Sequence, residues 1–413
     1  MKKPLYTHII GKKDKFINRI LSSTTDAWRK QKVPLLFEGI LRSEGVLVTE
    51  IARQVQSDPD KLHGELKSLT NHLKSVKWDE DELKAQQEYI RYIAGEKKDR
   101  LVILTDTSDI AKKYAEKMEN LGRIRDASLS MDFPVIANGY HTFETYVRLG
   151  DTVAPLLNFP FSLEDANTAS MNHAIRVGYR TLREALPDTP TLFVEDRGFD
   201  SAENYAICGE FGHDFLVRQR GDRILYTANG SRMGSTLAVA ERMELDHTAR
   251  FFVKKDDERK SRKRLFDYDF KTVFLDNSGK KPYSLIVVRR GAWIMCLLTS
   301  IPVTNQYECE GLIRFYVLRW KVEESIRFVK STINIESVRV LSFRAVKRLL
   351  MFAYWAMGFL GVLQLELPGR VLNELIRLGK PRKFKVEFLF YRIIKGLKVL
   401  LGYEMNAIGG LIA

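Results

Sequence analysis

The chain has 413 residues, a formal net charge of +14 and 45% hydrophobic residues. It is long enough for two or three domains with sizeable cores, too apolar for a disordered polyelectrolyte, and basic enough to imply a polyanionic partner, nucleic acid or an acidic membrane surface. Three scattered cysteines, Cys208, Cys296 and Cys309, exclude a disulfide frame or a zinc site and read as structural thiols in a reducing compartment.

The amino terminus, MKKPLYTHIIGKKDKF, is basic but lacks the apolar run of a secretory signal, so none is expected. Residues 1–97 read as a helical DNA-binding domain. Within it, TEIARQV (49–55) predicts a short helix and QSDPD a turn, with Asp58 as N-cap and Pro59 at the first helical position. KLHGELKSLTNHL then carries Leu62, Leu66, Leu69 and Leu73 on one stripe. Helix, turn and amphipathic helix over about 47–74 fit a helix-turn-helix, and equally a generic helical bundle. Lys61, His63, Lys67 and Asn71 lie off the leucine stripe, and Lys61, Lys67 and Asn71 are the candidate groove contacts. His63 and His72 read as solvated. A charged stretch ends near Gly95.

Next comes LVILTDTSDI, a short apolar, β-branched run that predicts a buried strand ending at Asp106. Extended runs follow near MDFPVIANGYHTF and TVAPLLNFPF, then a helix over 166–186. A second buried strand, TLFVE, delivers Asp196, and a further one begins at Asp214. A carboxylate at a strand's carboxyl end sits where open α/β sheets place their ligands. An aspartate there is also a common turn or cap residue. Asp200 and Asp109 read as such caps. Arg197, beside Asp196, reads either as a DNA contact or as half of a local ion pair. Residues 221–291 alternate aromatic and β-branched positions between the turn signals ANGS and DNSG, which predicts a mostly β insertion. RKSRKR (259–264) within it reads as a phosphate contact or a solvated hairpin tip, and Trp293 as a core residue.

The run RFYVLRWKVEESIRFVKS predicts one helix. Tyr316, Arg319, Glu323 and Lys330 fall at i, i+3, i+7 and i+14. At about 100° per residue they share one face within roughly 60°. Phe315, Leu318, Val322, Ile326 and Val329 form a separate apolar stripe. A surface helix does not need a phenol, a guanidinium, a carboxylate and an ammonium in line; a site for a metal ion and a polyanion does. Beyond it, Leu349–Leu363 is fifteen uncharged residues, short of the roughly 20 that a membrane span needs. A buried helix is therefore expected. The tail from 366 to 413 reads as helical and basic.

Asp106, Asp196 and Glu323 resemble the DDE triad of transposases. The spacing Tyr-x2-Arg-x3-Glu-x6-Lys, met by Tyr316, Arg319, Glu323 and Lys330, resembles the signature of the insertion-sequence-4 family, over about 101–350. The resemblance implies an α/β chain: a ribonuclease-H-like core over 98–220 and 292–365, interrupted by the β insertion. It also implies that Tyr316, Arg319 and Lys330 contact phosphates at the transposon ends. Such chemistry suits two divalent ions about 3.5–4 Å apart, Mg²⁺ or Mn²⁺, on hard carboxylate oxygens. Asp106 would bridge both ions, while Asp196 and Glu323 would each hold one. The expected function is cut-and-paste DNA transposition on double-stranded DNA, the terminal inverted repeats and a target, by a homodimer on paired ends. The expected location is the cytoplasm, on a bacterial or archaeal nucleoid, with no membrane partner. A DDE-fold nuclease or domesticated relative, and an inert sequence-specific DNA-binding protein, are the other two readings.

Overall fold

The structure, a computed structural model, describes residues 3–95, 100–125, 133, 135–150, 152–253, 262–379 and 388–409. It is mixed α/β, with a large mixed sheet and helices at the N terminus. The chain divides into two compact units. The first comprises Met1–Glu96, Thr107–Pro187 and Glu323–Ala413; the second comprises Lys97–Asp106 and Asp188–Val322.

The first unit begins with α1 (Lys3–Ile20), α2 (Ala27–Ser43), α3 (Val48–Val55), α4 (Pro59–Lys74) and α5 (Asp79–Ala94). The predicted cap is present: Asp58 accepts from the Asp60 amide at 3.0 Å, with Pro59 opening α4. Leu69 and Leu73 are buried, and Lys61, His63, Lys67 and Asn71 are exposed. Strand β1 (Leu101–Ala111) starts in the second unit and enters the first at Thr107. It was expected to stop at Asp106. Thr, Ser and Ile keep the following residues compatible with a strand, so it runs on for five more. The first unit continues with β2 (Gly122–Arg125), β3 (Ile136–Leu149) and β4 (Thr152–Phe161), paired antiparallel in that order. Helix α6 (Met171–Ala185) is shorter than the expected 166–186, because Ser170 caps it by accepting from the His173 amide.

In the second unit, β5 (Thr191–Glu195) pairs parallel with β1, α7 spans Ala202–Glu210, and β6 (Asp214–Arg218) pairs parallel with β5. The insertion holds β7 (Ile224–Tyr226), β8 (Arg232–Ser235), α8 (Thr236–Arg242), β9 (His247–Val253), β10 (Arg262–Phe274) and β11 (Pro282–Arg290). It is mostly β as expected, except for α8, which Ser235 caps at the Ala238 amide. β12 (Trp293–Thr299) returns the chain antiparallel between β11 and β6. Helix α9 (Gln306–Leu318) completes this unit, and α10 (Trp320–Ser331) leads back to the first. Part of RKSRKR, 259–261, and the basic stretch 380–387 lie outside the described residues.

The first unit closes around α11 (Phe343–Glu366), with α12 (Gly369–Leu378) and α13 (Phe390–Gly409) after it. Helix α11 is 24 residues, longer than its apolar stretch suggested and long and apolar enough to cross a membrane, yet it is mostly buried within the protein. Gly358 lets it approach α5, since a Cβ there would meet the Tyr89 hydroxyl at 2.3 Å. Arg348 on α11 is fully buried. It donates to Asp79 at 2.6 Å, to Glu82 at 2.7 Å, and to the carbonyls of Leu73 and Ser75 at 2.9 and 2.8 Å. Those carbonyls belong to the end of α4, where helices leave acceptors unpaired and favour cations. The guanidinium also stacks over Trp78, 4.7 Å from its ring centroid.

His72, expected to be solvated, is instead fully buried between Trp28 and Trp78, each centroid 4.8 Å away. Burial, and then the nearby Arg348 and Arg29, push its pKa down to about 4. The folded state thus resists a proton that the unfolded chain accepts below about 6.5. Stability from this group is present at pH 7 and is lost as pH falls from 6.5 toward 4. The expected loss is about 3 kcal/mol. Denaturant titrations at pH 7 and pH 4.5 should show it for the native chain, and His72→Phe should flatten that slope. An unchanged slope in the variant would contradict the assignment.

Candidate active site

The parallel register of β1 and β5 is the foundation of the site in the second unit. Leu101 pairs with Thr191 and Leu104 with Val194. Asp106 lies two residues further along β1, and Asp196 is the first residue past the end of β5. Residues opposite one another in neighbouring strands point to the same face, and the strands lie about 4.8 Å apart. Both aspartates have the same parity as Leu104 and Val194. The intervening residues, Thr105 and Glu195, are fully buried on the other face, where the Asn204 side chain donates to Glu195 at 2.8 Å. β5 ends at Glu195, so nothing in that strand covers the two carboxylates from beyond.

Asp106 is held by Arg319, whose Nη1 donates to Oδ2 at 3.0 Å. Arg319 sits at the junction of α9 and α10. Its amide bonds to the Tyr316 carbonyl at 3.0 Å, a tight three-residue turn that breaks the single helix expected from the sequence into two. Its guanidinium lies 6.0 Å from the Tyr316 ring centroid. Tyr316 is 3% exposed and Arg319 8%. The signature face was read as lying away from the core; these two residues are buried instead, because the guanidinium is drawn in by Asp106.

Asp196 caps a short turn, Arg197–Phe199, and accepts from the Gly198 amide at 2.7 Å. Asp200, four residues on, was read as a helix cap. Ser201 performs that role, accepting from the Asn204 amide. Asp200 instead accepts from the Tyr205 hydroxyl and Arg223 Nη2, both at 2.6 Å, and from the Arg220 amide at 2.8 Å. Arg220 Nε in turn donates to the Arg197 carbonyl at 3.0 Å. Burial works to raise the Asp200 pKa, but these donors outweigh it and hold the carboxyl below its usual range. The loop bearing Asp196 is thereby lashed to the segment after β6. The run RQRGDR (218–223) was the available signal for this network, and the sequence reading overlooked it. Arg197 itself is exposed. Trp293, read as a core residue, is 41% exposed at the start of β12, against Phe266.

In the first unit, Glu323 is exposed in the first turn of α10. Lys330, two turns later, donates to Asp109 of β1 at 2.7 Å, and its Nζ lies 3.5 Å from Glu336. Asp109, also read as a cap, is thus the anchor of the signature lysine.

Asp106 and Asp196 each offer hard oxygen donors, the chemistry that Mg²⁺ or Mn²⁺ prefers. The Arg319 guanidinium supplies Asp106 with a compensating positive charge. Among the described residues no group of three or more His, Cys, Asp or Glu stands close enough to hold a metal.

Residues 160–359 match the family model described as a transposase DDE domain. The match covers just under half of the chain and includes Asp196, Tyr316, Arg319, Glu323 and Lys330; Asp106 precedes it. It supports a DDE transposase, with DNA as the partner that such a domain implies. A search of curated proteins finds no match to the chain.

If Asp200 organises the Asp196 loop, Asp200→Ala strands Arg223 and should cost about 3 kcal/mol of stability. Guanidinium denaturation checks this. A loss below about 1 kcal/mol, no more than a typical exposed ion pair contributes, would refute that role.

Proposed function

We propose that this chain is a DNA transposase of the insertion-sequence-4 kind, cutting and joining DNA with divalent metal ions on a ribonuclease-H-like core. The observation that carries the reading is the signature arginine held on Asp106 of β1, next to the parallel strand β5 that leads to Asp196. The match to the transposase DDE domain supports the same class.

In this reading Asp106, Asp196 and Glu323 are the metal carboxylates and the catalytic residues. Bound Mg²⁺ or Mn²⁺ would activate water on one side of a phosphodiester and neutralise the leaving oxyanion on the other. Arg319, which neutralises Asp106 in the protein alone, is suited to a bidentate grip on a DNA phosphate, and Lys330 to a point-charge contact. Tyr316 orients the Arg319 guanidinium and offers a hydroxyl to the same phosphates. The Asp200 network keeps the Asp196 turn rigid, so that the carboxylate does not have to be ordered during the reaction. Arg197 is a further backbone contact.

The helices preceding β1 form the DNA-binding portion, with Lys61, Lys67 and Asn71 toward the groove. The protein recognises terminal inverted repeats, joins the freed 3′-hydroxyl to a target, and works as a homodimer on paired ends in the cytoplasm. The net charge of +14 suits that partner.

The test is cleavage of a labelled duplex carrying the element's end, with Mg²⁺ or Mn²⁺. The native chain is expected to cut and then to transfer the strand. Asp106→Ala, Asp196→Ala and Glu323→Ala are expected to bind the duplex but to cut at least a thousandfold more slowly. Cleavage without strand transfer would make the protein a nuclease. Binding without cleavage in either metal would leave an inert DNA-binding protein.

A further inference from the structure

A groove of about 730 Å³ in the first unit lies between the loop that follows β1 and the loop that follows α10. Its rim carries Tyr114, 88% exposed, and Leu341, 57% exposed. An aromatic ring so fully in water gains nothing from the core, and its cost needs a reason outside folding. Around it stand three exposed cations, Lys113, Lys117 and Arg339. Lys113 already lies over the Tyr114 ring, 5.5 Å from its centroid.

The two loops are fixed to each other rather than loose. Lys112 is buried, and its ammonium donates to the carbonyls of Glu336, at 2.7 Å, and Val338. That tie sets the Tyr114 side of the groove against the Arg339 side. Asn138 completes the support by donating to the Ala115 carbonyl at 2.9 Å. Glu336 also links the groove to the signature lysine, since its carboxylate is 3.5 Å from Lys330 Nζ. Lys113, Lys117 and Arg339 thus stand around one stacking surface, with Glu116 and Glu336 the acidic residues of the same lining.

We infer that this groove binds a stretch of DNA with an unpaired base: the base stacks on Tyr114, and Lys113, Lys117 and Arg339 hold the neighbouring phosphates. Exposed aromatics interleaved with cations recognise single strands because every base has a π-face and every linkage a charge. The inference rests on DNA being the partner, and it adds a second contact surface beyond the signature residues. It predicts a preference for DNA with a single-stranded tail over blunt duplex of the same length. None of the four groups belongs to the proposed catalytic or metal set.

The experiment uses the full chain and fluorescently labelled DNA of arbitrary sequence, as blunt duplex and as the same duplex with a ten-nucleotide tail. Affinities are measured by anisotropy over a range of salt. The native chain should favour the tailed DNA by about tenfold, and Tyr114→Ala should erase that preference while leaving blunt-duplex binding intact. Lys113→Ala with Lys117→Ala and Arg339→Ala should weaken binding of the tailed DNA and lower its salt slope by roughly two to three. All four residues are exposed, and melting curves confirm that the variants fold. If the native chain binds both DNAs and neither variant changes either affinity, the groove assignment fails while the transposase reading stands. If the native chain binds no DNA at all, both fail together.

Discussion

The strand register between β1 and β5 is the constraint on which the proposed chemistry depends. Leu101 to Leu104 pair in parallel with Thr191 to Val194, and the two strands lead to Asp106 and Asp196. A slip of one residue would turn one carboxylate to the opposite face and bury it in place of Thr105 or Glu195. Arg319 compensates the charge of Asp106, and the broken turn at the start of α10 is the local distortion that delivers its guanidinium.

Much of this was legible in the sequence, for identifiable reasons. The two strands announce themselves as short β-branched runs, and the aspartates follow them immediately. The cap at Asp58 and Pro59 is local chemistry, and it was read correctly. What was misread depended on distant partners. His72 sits on a helix between an asparagine and a leucine, and its immediate neighbours do not say that Trp28 and Trp78 enclose it. Asp109 and Asp200 have the context of cap residues, but Lys330 and Arg223 claim them from far along the chain. The signature was read as one straight face of one helix, whereas the pull of Asp106 on Arg319 bends it. Trp293 was assigned to the core because its offset from the LLTS run departs from the family pattern, yet as the first residue of β12 it is 41% exposed.

The two units handle buried charge in similar ways. Asp200 and Arg348 both take several donors or acceptors at once, so that neither charge is left with partial compensation. Glu144, fully buried between β3, β4 and α11, takes a different course. Thr142, Tyr146, Asn158 and Tyr354 all donate to it, yet burial dominates and raises its pKa. These clusters favour a unique arrangement over a merely compact one, which a protein that must align reacting groups requires.

The placement of Arg348 has a consequence for biosynthesis. The carbonyls at the end of α4 and the carboxylates opening α5 leave the ribosome some 270 residues before their partner guanidinium. Until then the N-terminal helices expose the apolar surface that α11 covers and carry helix-end acceptors served only by water. Their completion is a long-range event of high sequence separation, so this region stays unfinished until α11 has been made. A protein assembled in this order completes its N-terminal helices only when α11 packs on them.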